Sequence, residues 1–249
     1  MGETVTAPPL PDEPDSFFRR ALGVFISPAV TFESIVRRPD FLAPLIVSTV
    51  GSILLIEGML EKIGAARIVR QAIEASSRAA QMSPEQVEQA VQRVATFTAI
   101  SMRVGAVIGV PMFLLIVAAT GIFIVNVLFG ASADFKACFS VVCYANLVLM
   151  IGVVMGLVIV LFGDVEQFNP QNPIPSTVGF FLNQRETSKP LYVIASSFDI
   201  FRVWFVILAS MGLSAATRKK VGTMAICLTY FAIWIALTLA RAGLATLTG

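Results

Sequence analysis

The chain has 249 residues, 56% of them hydrophobic and only 14% charged, with a mean hydropathy of +0.82. Soluble domains carry about 25% charged residues, so this chain has too few charges to coat a globule. A net charge of +2 is no nucleic-acid signature. The complete lack of histidine removes histidine zinc sites, Ser-His-Asp triads and histidine proton relays.

Residues 1–14 are polar and proline-rich and read as a disordered tail. No cleavable signal peptide is expected, since the first long apolar run begins only at Phe41. From Asp15 to residue 40 two amphipathic interfacial helices are expected. In the first, Phe18, Ala21, Leu22 and Phe25 recur at helical spacing beside Arg19 and Arg20, behind Asp15 or Ser16 as a cap. Pro28 breaks it, and a second helix starts near Thr31 and ends before Pro39. Plain connecting helices packed on a bundle are an equal alternative for this region.

The first span is expected at 41–60, with one acid, Glu57, near its end. Residues 61–103 form a nearly charge-balanced helical loop. Within it Ser83, Pro84 and Gln86 make a strong helix start, because serine caps, proline suits the first turn and glutamine closes a capping box. This segment reads as a helical hairpin, or as a helix running straight on into the next span. Spans two and three are expected at 104–130 and 137–163, joined by so short a turn that they must be antiparallel. Pro111 should kink the first of them. The proline-rich stretch 164–189 is too polar to span. The fourth span is expected at 191–216, followed at once by Arg218, Lys219 and Lys220, and the fifth at 222–240.

The expected fold class is therefore all-α: a polytopic integral membrane helical bundle with about five transmembrane helices plus an N-terminal interfacial helix. In hydrocarbon each backbone polar group must be satisfied inside its segment, and the runs lack the alternation of barrel strands. A raw count of basic residues does not decide orientation. The dense 218–220 cluster and the arginine pairs before the first span favour a cytoplasmic N-terminus and an outside C-terminus.

Three charged residues fall inside spans, where a charge costs about 2.5–3.5 kcal/mol at a helix centre. Asp199 and Arg202 are three apart and share a helix face, close enough to pair. They make a candidate polar intramembrane site with Glu57, although a pair at headgroup level and an interfacial Glu57 are the plainer expectations. Asn126 and Asn146 suit interhelical hydrogen bonds. Gly105–Gly109 and Gly152–Gly156 are GxxxG pairs that permit close helix packing. Cys138, Cys143 and Cys227 all lie in apolar runs with no CxxC pair. No phosphate loop, nucleophile elbow or metalloprotease motif is present, so neither catalysis nor a cofactor or metal is expected.

Three stretches together resemble the Yip domain family (Ypt/Rab-interacting membrane proteins), in its prokaryotic branch. These are SPAVTFESIVRRPDFLAPL before and into the first span, FGASADFKACFSVVCYANL between spans two and three, and SSFDIFRVWFVILASMGLS in the fourth. In the last, Asp199, Phe201, Trp204 and Gly212 match family positions. The resemblance runs from about Ser27 to Leu239. It implies five spans with a cytoplasmic N-terminus, and in eukaryotic members a trafficking role with small GTPases. The long N-terminal domain and the Asp-Leu-Tyr-Gly-Pro motif of those members are missing here, which puts GTPase binding in doubt.

Three functions follow as expectations. The first is a non-enzymatic protein of the lipid bilayer, in the plasma membrane if prokaryotic, acting by helix–helix association as a homo- or hetero-oligomer with other membrane proteins. The second is a small transporter or channel centred on Asp199 and Arg202. The third is membrane sensing through helix 15–26.

Overall fold

A computed structural model of the chain describes residues 16–74, 82–163, 174–183 and 186–247. The expected disordered tail at 1–14 lies outside these, as do Pro170 and Pro173. The described residues form helices with no strand among them. The helices are α1 (Phe17–Ile26), α2 (Pro28–Arg37), α3 (Leu42–Lys62), α4 (Ala65–Glu74), α5 (Pro84–Ile122), α6 (Phe135–Ala145), α7 (Leu147–Phe162), α8 (Lys189–Ser197), α9 (Ile200–Ala216) and α10 (Thr223–Leu247). Four stretches are long and apolar enough to cross a bilayer: 42–62, 84–128, 135–162 and 223–246. The chain is thus an all-α polytopic membrane bundle.

The local chemistry explains most helix ends. Ser16 caps α1 by accepting from the Arg19 N–H. Pro28 does not separate the two N-terminal helices by several residues, as expected, but opens α2 itself: at the first helical position its missing N–H costs nothing. Ser83 and Gln86 form the reciprocal capping box, with the Gln86 side chain accepting from Ser83 N–H at 2.9 Å. From there α5 runs on through Pro111, and a π-helical turn over Phe123–Leu128 finishes the span. Within 61–103, α4 packs back along α5, with Arg70 on Glu88 at 2.5 Å, while α5 itself continues into the next span.

The bundle has two ends. At one, here the near end, α1 and α2 dock on α6 and α9. Phe32 and Ile35 of α2 are fully buried in the main core with Tyr144, Leu213 and Ile226. A Cβ on Gly212 would sit 2.8 Å from Phe32 and 2.3 Å from Val141, so only glycine lets α2, α6 and α9 meet here. The opposite face of α1 is apolar and bare: Phe18, Leu22 and Ile26 are 80%, 63% and 72% exposed. Lys219 beyond α9 bonds Glu33 of α2 at 2.7 Å, which fixes the basic turn after α9 at the same end as the N-terminal helices. At the far end Met59, Ile63 and Val160 form a second small core, joined by Ile68 of α4 and Met102 of α5.

Candidate functional site

The expected fourth span is not one helix. It divides at Phe198 and Asp199, both extended, into α8 and α9. A break inside a span frees backbone donors that hydrocarbon cannot satisfy, and each of the first three N–H groups of α9 has a partner. Asp199 Oδ1 accepts from the N–H groups of Phe201 and Arg202 at 2.8 and 3.1 Å. The Ile200 N–H donates to the Ser176 carbonyl at 3.1 Å. Ser176 Oγ donates to the other carboxylate oxygen of Asp199. The segment 174–181 thus folds back onto the break, pairing Thr177 with Asp199 as an isolated bridge.

This site lies level with the middle of neighbouring spans. Phe201 and Ile174 both pack against Gly152 in α7, and Gly156, one turn on, faces Leu55 in the middle of α3. The expected Asp199–Arg202 ion pair is not formed: the carboxylate is taken by the helix start and Ser176, and among the described residues Arg202 makes no ion pair. Arg202 instead lines a cavity of about 540 Å³ between α5, α9 and α10, walled by Phe113, Ile116, Phe205, Ala209, Tyr230 and Trp234. Tyr230 closes one side, donating to the Val117 carbonyl at 2.8 Å while its hydroxyl lies over Gly121.

Glu57 is not brought to Asp199. Its carboxylate takes two bonds from Arg103 of α5, Nε at 2.7 Å and Nη2 at 3.0 Å, in a fork that ties the outgoing and returning spans together at the far end. Arg103 was legible only as a loop residue; its partner becomes visible once α5 is known to continue through it. The two glycine pairs also separate. Gly152 and Gly156 lie against Ile174, Phe201 and Leu55 inside the bundle, whereas Gly105 and Gly109 have nothing within 4 Å of where a Cβ would stand. Two further glycines that no motif singled out, Gly51 and Gly58, carry the α3–α7 contact against Met150 and Leu157.

The asparagines divide in the same way. Asn146, at the junction of α6 and α7, donates to Ser48 of α3 at 2.9 Å, the interhelical bond expected of it. Asn126 bonds both the N–H and the carbonyl of Ala133, holding the 129–134 turn rather than a neighbouring helix. Ser176 carried no signal, since its role depends on a loop folding back across sequence.

Known proteins add the following. The Yip1 domain profile matches residues 22–241. The chain is 26% identical over 204 residues to membrane protein YknW of Bacillus subtilis, covering 80% of each. No solved structure matches.

Proposed function

The chain belongs to the Yip1 domain family, and from that premise we propose that it is a non-enzymatic membrane protein acting by lateral helix–helix association, through the Gly105–Gly109 face of α5. The observation that carries this reading is the open face itself. Gly105 and Gly109 are spaced for close backbone approach, yet no described residue comes within 4 Å of where a Cβ would stand on either. Ser101 continues the line of small residues one turn earlier and is also exposed. The other expected pair, Gly152–Gly156, is already filled from within the bundle, so it is not free for a partner.

Cysteine crosslinking in the membrane tests this. With Cys138, Cys143 and Cys227 replaced, single cysteines at 101, 105 and 109 should form disulfide-linked pairs. A cysteine at 107, about 200° around the helix from 105, should not. Equal crosslinking at all four positions, or none at any, would count against the reading.

The near end is proposed to face the cytoplasm. The support is the clustering there of Arg218, Lys219 and Lys220 with the arginine-bearing α1 and α2, since short cytoplasmic segments collect lysine and arginine. A membrane-impermeant thiol reagent applied from outside should therefore miss a cysteine placed at 219.

A second reading, transport through the polar break at Asp199 and Arg202, is favoured by one observation: a discontinuous helix at mid-span is a feature of transporter binding sites. Water-soluble reagents should then reach a cysteine at 202 from an aqueous side. Complete protection there removes this reading without touching the first.

A further inference from the structure

We infer that the cavity between α5, α9 and α10 binds an amphiphile, an acyl chain bearing one anionic head group, with Arg202 as the residue that recognises the anion. Three helices form most of the lining over eight residues each, about 10 Å of rise: Phe113 to Thr120, Arg202 to Ala209, and Tyr230 to Leu237, with Leu149 of α7 beside them. The result is a trough rather than a pore. Its near end is closed by Tyr230 over Gly121, and Arg202 stands at the other end, on the first turn of α9.

Among the residues that line this trough, Arg202 carries the one charge. The Thr120 hydroxyl is already bonded to the Ile116 carbonyl and that of Tyr230 to the Val117 carbonyl. The Asp199 carboxylate is committed to the α9 N-terminus and Ser176, and among the described residues nothing forms an ion pair with Arg202. A guanidinium with no ion-pair partner among the described residues is costly inside a span; an anionic group would pair it, and an acyl chain would fill the apolar remainder. The rim opens sideways, with Ile116 and Leu237 59% and 61% exposed, so a ligand can enter from the bilayer. A cavity of about 540 Å³ also falls within the range of small-molecule sites. Binding here requires neither association through α5 nor flux, so it stands or falls separately from both readings above.

The protein carries its own reporter. Trp204 and Trp234 are its two tryptophans, and Trp234 lines the trough. In a Trp204→Phe variant of the full chain in phosphatidylcholine vesicles, Trp234 fluorescence is titrated with four brominated quenchers: a fatty acid, its methyl ester, a phosphatidylglycerol and a phosphatidylcholine. The acid or the phosphatidylglycerol should quench at a mole fraction about five-fold lower than its uncharged or zwitterionic counterpart, the preference one basic residue confers on an anionic lipid. Preference for the acid alone identifies a free carboxylate amphiphile, and preference for the phosphatidylglycerol identifies a lipid phosphate. Arg202→Gln should abolish the preference and Arg202→Lys should keep it. Should Arg202→Gln not fold, Val206→Phe, which fills the trough, should bring anionic quenching down to the level of the neutral probes. Equal quenching by charged and uncharged probes overturns the inference, as does a preference unchanged in Arg202→Gln or Val206→Phe.

Discussion

Arg103 grips both carboxylate oxygens of Glu57 across two neighbouring spans, at 2.7 and 3.0 Å, 46 residues apart in sequence. The fork sits at the far end of α3, where the chain must turn back through α4 into α5. Both side chains are about half exposed, so the pair positions the two helices more than it stabilises them. Reversal is its cleanest test. Glu57→Arg should lower the melting temperature of the purified protein by setting two cations against each other. Adding Arg103→Glu should recover most of that loss, while Arg103→Glu alone should be as harmful as Glu57→Arg. Additive losses in the double variant would rule out a direct interaction.

Asp199 is expected to matter for the helix start rather than for its charge. Asp199→Ala removes the acceptor for two backbone N–H groups and for Ser176, and loss of a cap typically costs about 1–2 kcal/mol. Asp199→Ser keeps a capping oxygen and should restore much of the stability in thermal melts. If serine is no better than alanine, the cap is not what this residue contributes.

The near end should be sensitive to acid. Lys219 hydrogen-bonds Glu33 and adds its charge, holding the Glu33 carboxyl below its ordinary value of 4.5. A carboxylate with a lowered pKa in the folded state stabilises above its unfolded pKa, and that contribution fades as the pH falls through the folded value. The stability difference between the wild type and Glu33→Gln should therefore be present at neutral pH and shrink on acidification below about 4.5. A difference that stays constant down through that range would mean that Glu33 acts by packing alone.

Gly212 and Gly109 should behave oppositely. Gly212→Ala pushes a methyl into Val141 and Phe32, an overpacking that typically costs about 1–3 kcal/mol. Gly109→Ala meets open space and should leave the melting temperature of the monomer unchanged. Equal effects on the two would mean that the α2–α9 contact is looser than these distances describe.

These cases also separate what the sequence displays from what it conceals. The spans 42–62, 84–128, 135–162 and 223–246 announce themselves by apolar length, and the Ser83–Gln86 box by local spacing. The break at Asp199 does not, because its cause is non-local: the acceptors for α9 come partly from Ser176, in a loop whose return no periodicity encodes. The same reason hid Arg103 as a partner for Glu57. GxxxG spacing marked both glycine pairs alike, while only packing determines that Gly152–Gly156 is filled and Gly105–Gly109 is open.

The most direct test of lateral association is co-purification of two differently tagged copies expressed together, comparing the wild type with a Gly105→Leu, Gly109→Leu double variant. The wild type should capture its second copy or another membrane protein. The double variant should lose most of that capture while keeping the same melting temperature as a monomer, since both leucines would project into space that the described residues leave empty. Capture undiminished by the two leucines, or a wild type that is monomeric and captures nothing, would contradict association through this face.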